Sequence, residues 1–356
     1  MIQTILDILK DLVACDTQNP PREICADGLV FQCLGRWLGD SFDVQVRDYG
    51  QGRVNWLATR GKPTRLFNVH LDTVPAGDSW TKPPLQMSVE SDRVYGRGVC
   101  DIKGAAACLI AAAASVDDVA ILFSSDEEGS ESCCIREFCK SDLATPYASF
   151  VIAEPTGCQA VVGHRGYLSV AGHFRGQAGH TSQYQLLPAS ANHCAANWIT
   201  HALTTVEEME TEALQDSFCF NVGRIDGGIK NNVVADQCRV TWSARMPAGF
   251  ANHQLLECLI DRDCHEAQWT TTFDGAPLPG EPGQRETAAQ LCQQLGLPVA
   301  PDVDFWTEAA IFAGTGKPTF VLGPGDIAQA HTADEWVAID QLQQCVERYL
   351  NLMNKN

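Results

Sequence analysis

NVHLDTVPAGDSWTKPPLQMSVESDRVYGRGVCDIKG, Asn68 to Gly104, is the stretch on which the reading of this chain turns. It opens with His70 and Asp72 at the end of an apolar run (Leu66, Phe67, Val69) and closes on Asp101, just after a Tyr-Gly-Arg-Gly turn. A histidine and a carboxylate presented by a strand end or a glycine-loosened loop are what a divalent metal site needs, since imidazole nitrogen and carboxylate oxygen are both good zinc ligands. Asp72 follows His70 by two residues and so points to the same side of the strand. It can hydrogen-bond the ring nitrogen that does not touch metal and fix the tautomer. A single histidine near a strand end is more often structural, and recurrence is what changes the reading. Ile121–Ser125 is a short apolar strand that stops at Asp126-Glu127-Glu128-Gly129. Phe150–Ala153 stops at Glu154-Pro155, and Thr319–Leu322 leads into Gly323-Pro324-Gly325 and then His331. Four apolar strands thus each deliver a carboxylate or an imidazole past the C-terminal end, where open α/β sheets place their sites.

Composition narrows the class. At 356 residues the chain has room for two domains and a sizeable core. No apolar run approaches the roughly 20 residues of a membrane span, so no membrane partner is expected. The N-terminus, MIQTILDILKDLVACDTQNPP, reads as an amphipathic helix ending before Pro-Pro rather than as a secretion signal. A formal charge of −19 disfavours nucleic acid and anionic membrane surfaces. The 16 cysteines are irregularly spaced, many of them in apolar or helical runs (Cys108, Cys194, Cys345), and read as reduced, space-filling thiols of a cytoplasmic protein. The glycines of YGRGVCDIKG lack the Lys-Ser/Thr of a phosphate-binding loop and the full dinucleotide fingerprint.

The organisation is one domain interrupted by another. Residues 1–163 alternate helical and strand patterns as in α/β folds, with an alanine-rich helix expected over Ile102–Ser115. The middle section, residues 164–275, reads as strand Tyr167–Arg175, helix Ala189–Leu203, strand Phe218–Ile225, strand Gln237–Met246, helix Asn252–Asp261 and strand Ala267–Phe273. This βαββαβ order is the ferredoxin-like α+β unit. The Gly-Ala-Pro-Leu-Pro-Gly run at 275–280 reads as the return linker, and residues 276–356 rebuild the first domain.

The motifs HLDTVP, YGRGVCDIKG, SSDEEGS, AEPT and GPGDIAQAH, in this order over nearly the whole chain, resemble those of the dinuclear zinc aminoacylases and carboxypeptidases, which include acetylornithine deacetylase and succinyl-diaminopimelate desuccinylase. The resemblance implies a zinc-peptidase-type catalytic domain with a mixed central sheet, and a lid or dimerisation role for the inserted domain, hence a homodimer. It implies two divalent metal ions, zinc or cobalt, with Asp101 bridging them, His70 and Glu154 completing one site, and Glu128 and His331 the other. Glu127 matches the family's general base, His180 its lid histidine, which in dimeric members comes from the partner subunit, Arg245 its substrate-carboxylate arginine and Asn232 a lid asparagine near the substrate. A guanidinium suits that carboxylate role, since it pairs bidentately. Glu rather than Asp at 154 is like the aminoacylases and carboxypeptidases more than the aminopeptidases. The implied activity is metal-dependent hydrolysis of a small N-acyl-L-amino acid, with N-acetyl-L-citrulline in arginine biosynthesis first, N-acetyl-L-ornithine second and N-succinyl-diaminopimelate third. A non-catalytic metal-binding protein on the same scaffold is the competing class, against which the retention of both Glu127 and the ligand set argues. Cys100 departs from the small residue that relatives usually carry, and reads as a space-filler.

Overall fold

The computed structural model describes residues 1–20, 24–129, 133–213, 218–260 and 267–355. Pro21, Ser130 of the SSDEEGS motif and Asp261, the expected end of a helix, lie outside them. The described residues form two compact units: Met1–Val162 with Gly283–Asp302 and Thr307–Asn356, and Gly163–Pro282 with Val303–Trp306.

In the first unit six strands make one mixed sheet, in the order Asp43–Asp48, Val54–Arg60, Val119–Ser124, Arg65–His70, Ser149–Ile152, Thr319–Val321. The first three neighbours run antiparallel to one another, and the last four strands are parallel. The parallel strands read as unbroken apolar runs because helices cover both faces of such sheets, and each of their residues is buried. The N-terminal helix Ile2–Ala14 buries Ile5, Ile8, Leu9, Leu12 and Val13, the stripe expected from their spacing. Helix Lys103–Ala113 is buried on every side. Its alanines let the first helix and the C-terminal helix Ile339–Asn354 approach closely. All cysteines of the described residues are free thiols.

The second unit is a four-stranded antiparallel sheet in the order Cys219–Gly227, Gln237–Met246, Gly166–Arg175, Ala267–Gly275. With helices Ala191–Ala213 and Asn252–Ile260 this is the ferredoxin-like arrangement. Strand Gly166–Arg175 alternates buried and half-buried residues, and Leu168, Val170 and Phe174 meet Trp198, Ala202 and Val206 of the longer helix. That helix runs well past Leu203, where the sequence suggested its end. Thr200 and Thr204 return their hydroxyls to the carbonyls four residues back, at 3.0 and 3.1 Å, and Val206 is still buried against the sheet. Packing overrides the poor propensity of the Thr-Thr-Val run. The expected linker at 275–280 belongs to this unit, where Leu278 and His164 exchange backbone hydrogen bonds of 2.9 and 3.0 Å.

Two glycines make the packing of the first unit testable. A Cβ on Gly104 would lie 2.3 Å from the Val99 carbonyl oxygen and 3.3 Å from Leu342 Cδ2, whereas one on Gly35, in helix Leu29–Leu38, would meet nothing within 4 Å. Gly104→Ala is expected to destabilise by about 1–3 kcal/mol. Gly35→Ala should instead stabilise by about 0.4–1 kcal/mol. Calorimetric melting of the two variants checks the contrast, and equal midpoints would contradict this packing.

Candidate metal centre

The ends of the parallel strands bring together most of the residues singled out in the sequence. His70 is the last residue of its strand, Glu127 and Glu128 follow Val119–Ser124, and Glu154 follows Ser149–Ile152. His331 arrives less directly than the sequence suggested. Between it and strand Thr319–Val321 lie the Gly323-Pro324-Gly325 turn and a short 3-10 helix, Ile327–Gln329, and His331 itself is left-handed with φ +60°. A non-glycine residue held there is sparsely populated and tends to occur at functional positions.

Asp101 is the centre of the arrangement. Its Oδ1 lies 3.2 Å from His70 Nε2, and its Oδ2 lies 3.3 Å from His331 Nε2. Glu154 Oε1 stands 3.9 Å from the same His70 nitrogen, and Glu128 Oε1 2.9 Å from the same His331 nitrogen. His70, Asp101 and Glu154 form one group whose ligand atoms converge closely enough for a metal ion, and Asp101, Glu128 and His331 form a second. One carboxylate is common to both.

The charges fit divalent cations. Asp72, Asp101, Glu127, Glu128 and Glu154 crowd around the His70 and His331 imidazoles. Burial would raise Asp101, but its bonds to His331 and His70 hold it well below the usual carboxylate range. Burial pushes Glu154 well up, with His70 opposing, and raises Glu128 against the pull of His331. His331 is lifted to about 10 by Asp101 and then Glu128. Burial resists a charged His70, yet Asp101 and Asp72 outweigh it and hold the ring well above its ordinary value. The neighbouring carboxylates thus hold both rings above their ordinary values. Burial, and then the Glu128 charge, push Glu127 up to about 8. Glu127 belongs to neither converging group.

Several residues position this set. Asp72 is fully buried, its carbonyl oxygen 3.0 Å and its Oδ1 3.5 Å from His70 Nδ1. Its Oδ2 accepts the Glu128 amide N–H at 2.9 Å and an Asn19 side-chain N–H at 3.2 Å. Asp72 therefore holds a histidine of one group and the backbone of the other. Two buried acids escaped the sequence reading. Glu335 accepts amides of the Asp101 loop, and four residues after His331 in HTADEW nothing but an acid beside a candidate ligand signals it. Glu308 takes a 3.4 Å hydrogen bond from Ser124 on Oε2, while its Oε1 has no hydrogen-bond partner among the described residues. Burial and then the Asp126 charge raise Glu308 well above its usual value. Cys100 is buried, donates its thiol to the Asp326 carbonyl at 3.4 Å, and has its pKa raised by burial, which agrees with a space-filling role.

His180, Asn232 and Arg245 lie in the second unit. His180 and Asn232 are neighbours there: His180 pairs with Val233 in a short ribbon, and the Asn232 carbonyl accepts the Thr181 N–H at 3.3 Å. Both are exposed, and Ser182 Oγ lies 2.9 Å from His180 Nδ1. Arg245 sits on strand Gln237–Met246, half-buried, its guanidinium carbon 4.1 Å from the Tyr167 ring centroid. Burial lowers its pKa, with Tyr167 opposing.

Comparison with known proteins agrees with this architecture. The sequence profile described as Peptidase family M20/M25/M40 matches residues 66–355. N-acetyl-L-citrulline deacetylase of Xanthomonas campestris pv. campestris is 44% identical, over 99% of this chain and 98% of that protein. Acetylornithine deacetylase of Proteus mirabilis is 29% identical, over 94% of this chain and 92% of that protein. Among solved structures, the M20 family metallo-carboxypeptidase Sso-CP2 of Sulfolobus solfataricus has the same fold, with a TM-score of 0.73 at 17% identity over 99% of each chain. With a mixed sheet, two converging ligand groups on one carboxylate and a family match over most of its length, the chain belongs to the hydrolases of peptidase family M20/M25/M40.

Proposed function

We propose that this protein hydrolyses the amide of N-acetyl-L-citrulline, releasing L-citrulline and acetate in arginine biosynthesis in the cytoplasm. The observation that carries the chemistry is Asp101, with a different imidazole on each carboxylate oxygen and Glu127 close by but outside both groups. Likeness to the Xanthomonas enzyme selects the substrate. In this reading His70, Glu154 and Asp101 hold one divalent cation, and Asp101, Glu128 and His331 a second. Zinc and cobalt(II) both accept this donor set. When bound, such a pair acidifies water and polarises an amide carbonyl. Asp72 keeps His70 Nε2 directed at the site by engaging Nδ1. Glu127 accepts the proton lost by the attacking water and delivers it to the nitrogen as the C–N bond breaks.

His180 donates to the carbonyl oxygen as negative charge develops on it, reaching in from the partner subunit of a homodimer, and Asn232 lies beside it in the turn that enters the same ribbon. Arg245 pairs with the substrate α-carboxylate. Half-buried against Tyr167, it shows no ion pair among the described residues, which suits a guanidinium awaiting a ligand. Strand Cys219–Gly227 is an edge of its sheet and carries Ile225 at 60% exposure. An open edge of this kind is the surface through which two copies would join.

Three outcomes follow. Glu127→Gln keeps both cations, as metal analysis after dialysis would report, and loses about 10²–10⁴-fold in kcat; near-native turnover would refute the proton-shuttle role. With one metal-loaded preparation, kcat/KM should rank N-acetyl-L-citrulline above N-acetyl-L-ornithine and N-succinyl-diaminopimelate. A pocket matched to a neutral ureido group leaves an ammonium without counter-charge. Equal or better turnover of acetylornithine would replace the substrate and leave the deacetylase reading intact, whereas preferred release of succinate would replace the acyl group as well. Sedimentation at micromolar concentration should give a dimer; a fully active monomer would rule out both the dimer and a His180 acting across it.

A further inference from the structure

We propose that Glu335 is a positioning residue that sets the Asp101 carboxylate across the two cation positions, so that the dinuclear site is built before any cation arrives. The inference rests on the two-cation reading above and adds to it a residue that ligates nothing.

Glu335 is fully buried, and both its oxygens are engaged by N–H donors. Oε1 accepts the amides of Cys100 at 2.8 Å and Asp101 at 3.0 Å. Oε2 accepts the Gly98 amide at 3.0 Å and Arg97 Nη1 at 2.7 Å. No partner is an acceptor, so this surrounding suits the ionised carboxylate, and no oxygen is left to face a cation. Its charge is balanced by Arg97, itself buried and anchored to the Pro75 carbonyl at 3.2 Å. Glu335 is therefore not one more ligand. Three of its four bonds go to the backbone of the loop that presents Asp101.

The same residue also fixes the other side of the site. The Glu335 carbonyl accepts the Gly96 amide at 3.1 Å, and the next residue, Trp336, pairs with Tyr95 in a short antiparallel ladder. Only four residues upstream is His331, which approaches Asp101 Oδ2 to 3.3 Å. Glu335 thus fastens the Asp101 loop to the segment that carries His331. Metal ligands must be held to a few tenths of an ångström, and a shared carboxylate must satisfy that at both oxygens together. Loop amides that no strand pairs also need an acceptor when buried, and a single carboxylate serves three of them here.

The test compares metal-stripped and zinc-loaded protein. In the wild type, hydrogen exchange over residues 98–101 should already be slow without zinc and change little on loading. Fast exchange that becomes slow only with zinc would overturn the proposal, since the cations would then order the loop. Calorimetric zinc titration is then made on Glu335→Gln, which turns an NH₂ toward amide donors, and on Arg97→Met, which breaks the same ion pair but leaves the three amide bonds. Both variants should melt lower. Zinc affinity should fall about 10–100-fold in Glu335→Gln and stay near wild type in Arg97→Met. Equal affinities in the two folded variants would make Glu335 merely structural and overturn the proposal; if Glu335→Gln does not fold, the exchange result decides. Uptake of fewer than two zinc ions by the wild type would instead refute the two-cation reading itself.

Discussion

A buried carboxylate with a different imidazole on each oxygen is the constraint around which the first unit is arranged. Asp101 can serve two ligand groups only if its backbone, His70 and His331 are all fixed, because moving any one lengthens a contact on the other side. Crowding acids there is costly. Two like charges about 4 Å apart repel by roughly 4 kcal/mol at an effective dielectric of 20. The raised Glu127, Glu128 and Glu154 register that repulsion together with burial. His70, Glu128 and Glu154 stand at or just past the ends of buried parallel strands, while Asp101 and His331 are presented by loops. Divalent cations bound there would offset that repulsion.

What could be read from the sequence follows from how directly a residue's role depends on local pattern. His70, Glu128 and Glu154 come within a few residues of short apolar strands, and apolar runs that stop at acids or histidines are visible without a structure. Asp101 is legible through the glycine-loosened turn before it. The βαββαβ order was also legible, most directly through the alternation of the two central strands, Gly166–Arg175 and Gln237–Met246, but the sheet order was not. Which strands pair is decided by contacts between segments far apart in the chain. The end of helix Ala191–Ala213 was missed for the same reason, as burial of Val206 outweighs the β-branched residues before it. Glu335 and Glu308 were invisible because a buried acid and an exposed one look alike when the partners are backbone amides or a serine from elsewhere in the chain.

The candidate ligands and the residues proposed to touch substrate fall in different units. All the candidate cation ligands lie in the first, whose sheet and helices form one continuous core. The residues proposed to touch the organic part of the substrate, His180, Asn232 and Arg245, lie in the second. Arg245 sits next to the end of its strand and on an aromatic face, which limits its rotamers, while His180 lies on a short exposed ribbon and Asn232 in the turn that enters it. A carboxylate-binding arginine gains from such preorganisation because less side-chain entropy is lost on pairing.

Asp72 and Glu335 share a physical logic that explains why acids surround a site already rich in negative charge. Neither belongs to a converging ligand group. Each accepts backbone N–H groups from a loop that carries a ligand: Glu128 in one case, and Gly98, Cys100 and Asp101 in the other. Loops that leave a sheet lose the pairing that strands supply, and a buried N–H without an acceptor is expensive. A carboxylate is the side chain that can accept several such bonds at once, and bonds to a charged acceptor are the stronger kind. Presenting ligands from buried loops therefore demands acceptors beneath them, and those acceptors are themselves acids. The negative charge about this centre has two origins, one part for the cations and one part for the backbone that holds their ligands.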